Sequence, residues 1–181
     1  LSAYNALFHR YCDQDDIVIG SPMAGRNQKE IGDMLGYFVN MVPLRSSTHD
    51  DPSFIEFLNQ TSASVNGAIE HQDYPFSRII NDLKMPRDPA RSPLFQVSFA
   101  MERVPGIDEQ GIAVFLIGKG GHQFSVGDMT VETIDLNLRH AQFEITLVVE
   151  ESGGQIFGCW QYNRDLFKPE TIQKLSETFS L

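Results

Sequence analysis

The sequence predicts an α/β fold, a two-layer sandwich of helices packed on a mixed sheet. Three observations predict it. Apolar residues recur at helical spacing in the first half of the chain. Short apolar runs bounded by turn residues dominate the second half. Helical and strand patterns interleave within a chain of 181 residues, long enough for one domain or one large lobe with a real core.

Leu1, Tyr4, Leu7, Phe8 and Tyr11 place a helix at the start. Asp15-Asp16 leads into Ile17-Val18-Ile19, a buried strand that Gly20-Ser21-Pro22 is expected to end. A polar loop follows through Gly25-Arg26-Asn27-Gln28. Tyr37 to Leu44 forms a second strand, which Pro43 assigns to an edge or a bulge because proline has no N–H for a ladder. Asp51 as N-cap and Pro52 at the first helical position start the clearest helix. Its apolar face is Phe54, Phe57, Leu58, Thr61, Val65 and Ile69. Asp73-Tyr74-Pro75 breaks it, and Phe76, Ile79, Ile80 and Leu83 outline a shorter helix.

The prolines between Met85 and Pro93 deny regular hydrogen bonding and mark a loop. Strands are expected at Phe95–Met101, Ile112–Ile117, Met129–Ile134, Phe143–Glu150 and Ile156–Tyr162, with Gly153-Gly154 turning the last pair into a hairpin. A final helix begins at Pro169 and carries Ile172, Leu175 and Phe179. The chain opens inside one amphipathic pattern and stops inside another, so it reads as a piece of something longer.

Charge narrows the function classes. A formal net charge of −10 repels a polyanion, which argues against nucleic acid as a partner. No apolar run approaches the roughly 20 residues that span a bilayer, and no signal-peptide pattern is present, so no membrane role is expected. Cys12 and Cys159 lack metal-site or redox spacing and read as reduced thiols of a cytoplasmic protein.

No complete active site is visible. His9, His49, His71, His122 and His140 include no pair at the spacing of a helical metal site, so no metal is expected. Gly118-Lys119-Gly120-Gly121 fails as a phosphate loop, because residue 113 is alanine and the lysine is followed by glycine. Asp15-Asp16 and Glu150-Glu151 are paired acids at strand ends, where solvated charge is the ordinary outcome. Arg26, Asn40 and Gln96 stand out as polar residues beside or within apolar runs. A buried polar group needs a partner, so each either bonds nearby backbone or lines a polar channel, and the former is the simpler reading.

Taken together the segments resemble the condensation domains of nonribosomal peptide synthetases. Ile17 to Arg26 resembles the family's "IGTPxAGR" stretch, and Leu35 to Arg45 its "GxFVNTLxLR". His71-Gln72-Asp73-Tyr74-Pro75-Phe76 is similar to "HQDxPFE", with Ser77 in place of the glutamate. Arg87 to Gln96 resembles "RDxSRxPLFQ". Phe143 to Leu147 and Tyr162 to Phe167 are similar to "KFDLTL" and "YNTDLF". These segments follow the family's order along nearly the whole chain.

The resemblance implies a lobe like that of chloramphenicol acetyltransferase, with residues 1–181 forming the C-terminal lobe. It implies amide formation between substrates held as thioesters on the phosphopantetheine arms of donor and acceptor carrier proteins, with no cofactor bound by the lobe itself. The family's His-His-x-x-x-Asp-Gly signature belongs to the N-terminal lobe and is absent here, so this chain alone is expected to be inactive. By match, Arg26 would pair across the lobes with the signature aspartate. Ser21, Asn40 and Gln96 would line the channel, and Arg91 would be structural. Alternative readings are a non-catalytic platform for carrier proteins and a related epimerisation, heterocyclisation or free-standing acyltransferase domain.

Overall fold

The computed structural model describes residues 1–85, 88–102, 121, 123–134, 141–152 and 155–180. The chain divides into two compact units, Leu1–Ser98 with Gln173–Leu181, and Phe99–Ile172.

The first unit opens with α1 (Ser2–Cys12), whose Tyr4, Leu7 and Phe8 are buried as the helical spacing requires. Strand β1 (Asp16–Met23) follows, then a single turn α2 (Lys29–Gly32) and strand β2 (Asn40–Ser47). β1 and β2 are antiparallel, with Asp16 opposite Ser47 and Met23 opposite Asn40. β1 is parallel to β3 (Val97–Glu102) where Gly20 meets Ser98, so the sheet is mixed and its order here is β2-β1-β3. Helices α3 (Phe54–Glu70) and α4 (Phe76–Asp82) lie between β2 and β3 in the chain, and the end of α5 (Pro169–Phe179) returns to this unit.

Several boundaries depart from expectation for identifiable reasons. Gly20 does not end β1. Its bare Cα accommodates the Phe95 ring, since a Cβ there would lie 2.0 Å from Phe95 Cε2. Pro22 is tolerated because it lies beyond the Gly20–Ser98 bridge to β3, where that side of the strand has become an edge. β2 begins at Asn40 rather than Tyr37, and Pro43 sits on this outermost strand as its chemistry demands.

α3 is capped by Ser53, not Asp51. The Glu56 N–H donates to Ser53 Oγ (3.4 Å), and the Ser53 N–H donates to Glu56 Oε2 (2.8 Å), a reciprocal capping box. Of the face expected on α3, Phe57 and Thr61 are buried, whereas Phe54, Leu58 and Ile69 remain exposed.

In the second unit the order is β3-β6-β7, with β6 (Ile145–Ser152) and β7 (Gln155–Tyr162) antiparallel from Ile145–Tyr162 to Ser152–Gln155. β6 supplies the buried Ile145, Leu147, Val148 and Val149. Glu150 is 4% exposed, contrary to the solvated end expected for it, because β6 continues past it to Ser152. A separate hairpin joins β4 (Gln123–Val126), which the sequence had not announced, to β5 (Met129–Glu132). Gly127 makes its tight turn at φ +59°. The expected strand at 112–117, residues 118–120, His122, His140 and the Gly153-Gly154 turn lie outside the described residues.

Candidate functional site

Four of the segments quoted above, around Arg26, Asn40, Gln72 to Phe76 and Phe95 to Gln96, converge within the first unit. Asn40, at the start of β2, commits its whole carboxamide to the turn between α3 and α4. Its Nδ2 donates to the carbonyls of Gln72 (2.9 Å) and Tyr74 (2.8 Å), and its Oδ1 accepts from the Phe76 N–H (3.1 Å). A helix end and a helix start both carry backbone groups without intrahelical partners, and one asparagine here supplies both kinds. The same turn is held from the other side by Asn27, whose Nδ2 donates to both carboxylate oxygens of Asp73 (3.3 and 3.2 Å).

The loop from β1 to β2 is organised by Arg26. Nη1 donates to the carbonyls of Ile31 (2.8 Å), Gly32 (3.1 Å) and Met34 (2.8 Å), and Nη2 to that of Gly36 (3.1 Å). The guanidinium carbon lies 4.6 Å from the centre of the Phe38 ring, a cation–π contact. Gly25 precedes it at φ +64°, and a Cβ there would meet the Phe38 carbonyl oxygen at 2.2 Å, so glycine is required on both counts. With its carbonyls gathered inward, the loop turns Leu35 and Tyr37 outward, 101% and 87% exposed. That is why the strand starts only at Asn40.

Phe95 completes the junction from the proline-rich segment. It is 1% exposed, lies over Gly20, and meets the Phe76 ring at a centroid distance of 5.2 Å. Gln96 beside it donates from Nε2 to the Ser92 carbonyl (3.0 Å). Ser21 is buried on β1 opposite Val42. Arg91 is exposed, and its backbone N–H closes a turn on the Asp88 carbonyl (3.3 Å), while the Asp88 side chain accepts from the Ala90 N–H (2.8 Å). Arg26, Asn40 and the Phe95–Gln96 segment therefore share one junction, and Arg91 stands apart on its own loop.

Next to the junction is an open groove of about 740 Å³, bounded by β2 residues Val42, Pro43 and Arg45, by Gly67 and Ala68 of α3, and by Tyr74. Tyr74 donates its hydroxyl to Asp82, and this bond pushes the phenol pKa up. Arg45 grips Asp16 with two parallel bonds of 2.8 Å (Nε to Oδ1 and Nη2 to Oδ2), which hold the Asp16 carboxyl below its ordinary range. Asp15 instead faces His9 and His49 at 3.4 and 3.7 Å and accepts from Thr48 Oγ1 at 3.2 Å. The two adjacent acids thus have separate partners and do not act as a pair. Burial pushes the Cys12 and Cys159 thiols up, away from the nucleophilic thiolate form.

The residues that the sequence reading missed are Asn27, Phe38, Asp73 and Phe95. Their signal is positional: each lies in, or directly after, a recognisable segment, but Asn27, Asp73 and Phe95 act on segments distant in the chain, and Phe38 acts on Arg26 from the far end of the same loop.

Comparison with known proteins gives a consistent picture. A family model described as Condensation domain matches residues 1–180. Gramicidin S synthase 2 of Brevibacillus brevis is 33% identical over 179 residues, covering 99% of this chain and 4% of that protein. Tyrocidine synthase 3 of Brevibacillus parabrevis is 32% identical over 179 residues, covering 99% of this chain and 2% of that protein. A solved four-domain nonribosomal peptide synthetase bound to AMP and glycine superposes with a TM-score of 0.84 at 27% identity, over 99% of this chain and 14% of that one. The chain thus spans a small fraction of the length of the relatives it matches.

Proposed function

Since the chain belongs to the condensation-domain family of nonribosomal peptide synthetases, we propose that it is the C-terminal lobe of a domain that forms amides between carrier-tethered thioesters. The junction of Arg26, Asn40, Asp73 and Phe95 supports this reading: the segments that resemble family motifs are the ones that lock together.

The acceptor amine attacks the donor thioester carbonyl, the new C–N bond forms, and the thiol of the donor arm leaves. A thioester is already activated, so alignment is the main requirement, and it can contribute about 7–11 kcal/mol. In this account the lobe supplies one wall of the tunnel in which the two phosphopantetheine arms meet, and the N-terminal lobe supplies the histidine. Ser21, Asn40 and Gln96 border that wall. Asn40 and Gln96 do so by fixing backbone, since the Asn40 carboxamide and the Gln96 Nε2 are engaged there. In the loop leading into β3, the backbone N–H of Arg91 closes a turn.

Arg26 has a double duty in this reading. Its Nη1 and one Nη2 hydrogen order the loop, and its Nε edge meets the signature aspartate of the other lobe. Breaking such a pair once buried typically costs about 3–5 kcal/mol. The partners are the N-terminal lobe and the donor and acceptor carrier proteins, in the cytoplasm. The test is amide formation between loaded carriers by the parent synthetase. Peptide product supports condensation. Carrier binding without product would replace it with a non-catalytic platform.

A further inference from the structure

A second groove, remote in the chain from the junction, runs between α1, the first turn of α3 and α5, with a volume of about 400 Å³. Ala3, Ala6, Leu7, Leu175 and Phe179 floor it, and the small alanines let another backbone come close. Tyr11 and Phe54 rise beside it, 56% and 57% exposed, and Leu58 extends the apolar strip one turn further along α3.

Its charge is opposite to that of the chain. The protein carries 24 acidic and 14 basic residues, yet among the described residues the charged side chains lining this groove are the cations Arg10 and Lys174, with no carboxylate beside them. Neither forms an ion pair among the described residues. An exposed apolar strip rimmed by unpaired charge of one sign is a recognition surface, and the sign selects the partner.

We propose that this groove receives an acidic amphipathic helix from another domain of the parent synthetase. The helix inserts apolar side chains at helical spacing against Phe54, Leu58 and Phe179, and its Asp or Glu residues meet Arg10 and Lys174. Docking here does not depend on whether the domain condenses or serves as a platform, because none of these residues belongs to the junction.

The test uses the purified full-length synthetase with p-benzoylphenylalanine in place of Leu58. Irradiation should link this position to an acidic helical segment of another domain, read by mass spectrometry. The R10E/K174E double variant should lower the yield at least about tenfold, as should raising NaCl from about 50 to about 500 mM, because a charged rim is screened. Far-ultraviolet circular dichroism of R10E/K174E, unchanged from the parent, separates lost docking from lost folding; if that variant misfolds, the salt response decides. No cross-link, a cross-link insensitive to charge and salt, one to a second copy of this groove, or binding only to phosphatidylserine vesicles would each overturn the proposal.

Discussion

Replacing Asn40 with alanine should loosen the turn between α3 and α4 more than any other single truncation at the junction. The side chain satisfies two carbonyls and one N–H of residues 72–76, and alanine can satisfy none. Each such bond contributes about 0.5–1.5 kcal/mol net. The bond to Tyr74 is solvent-exposed and the other two are only partly buried, which places the loss near about 2 kcal/mol. At this chain length that lowers Tm by roughly 4–8 °C. Asn40→Asp is the sharper variant. It keeps the acceptor for Phe76 N–H but turns a carboxylate oxygen toward two carbonyls, so it should destabilise at least as much as alanine. Urea denaturation gives the free energy, and amide hydrogen exchange at Phe76 reads the turn directly. A loss below about 0.5 kcal/mol with unchanged protection of the Phe76 amide would refute this account of Asn40.

Three further outcomes follow from local geometry. Ser53→Ala removes the α3 cap and should cost about 1 kcal/mol in thermal or urea unfolding, with loss of amide protection in the first turn of α3, whereas Asp51→Ala should leave that protection unchanged, because Asp51 takes no part in the capping box. Gly20→Ala drives a methyl into the Phe95 ring and should cost about 1–3 kcal/mol, with partial recovery when Phe95→Leu is added to make room. The Asp16–Arg45 pair adds a pH dependence. The folded carboxyl titrates below its unfolded value, so its contribution is present above the ordinary carboxylate range and is lost as pH falls through the depressed folded value. Asp16→Asn should flatten that acid limb modestly, since both side chains are exposed and solvent screens them.

The architecture was legible because period and turn chemistry agree over most of the chain. Tyr4, Leu7 and Phe8 are spaced for a helix and are buried on one. What failed was local punctuation whose meaning depends on distant residues. Gly20 reads as a terminator until Phe95 is known to lie on it. Asp51-Pro52 looks like a helix start, yet the reciprocal bonds of Ser53 and Glu56 define the cap, a Ser-x-x-Glu signal that the sequence carries two residues further on. Tyr37 to Val39 has the composition of a strand but belongs to a loop whose carbonyls are taken by Arg26. At the site, Asn40 and Arg26 could be picked out as polar residues in apolar company. Their partners could not, because Gln72, Tyr74 and Phe76 contribute backbone atoms that leave no mark on residue type.

The most direct test of the central reading is complementation between lobes. Donor-loaded and acceptor-loaded carrier proteins are mixed with this protein alone, and then with this protein plus a separately produced N-terminal lobe carrying the intact His-His-x-x-x-Asp-Gly signature, and amide product is followed by mass spectrometry. No product above uncatalysed aminolysis is expected from this protein alone, product is expected when both lobes are present, and Arg26→Ala should abolish that product. Turnover by this protein alone, or turnover by the N-terminal lobe that is indifferent to its addition, would contradict it.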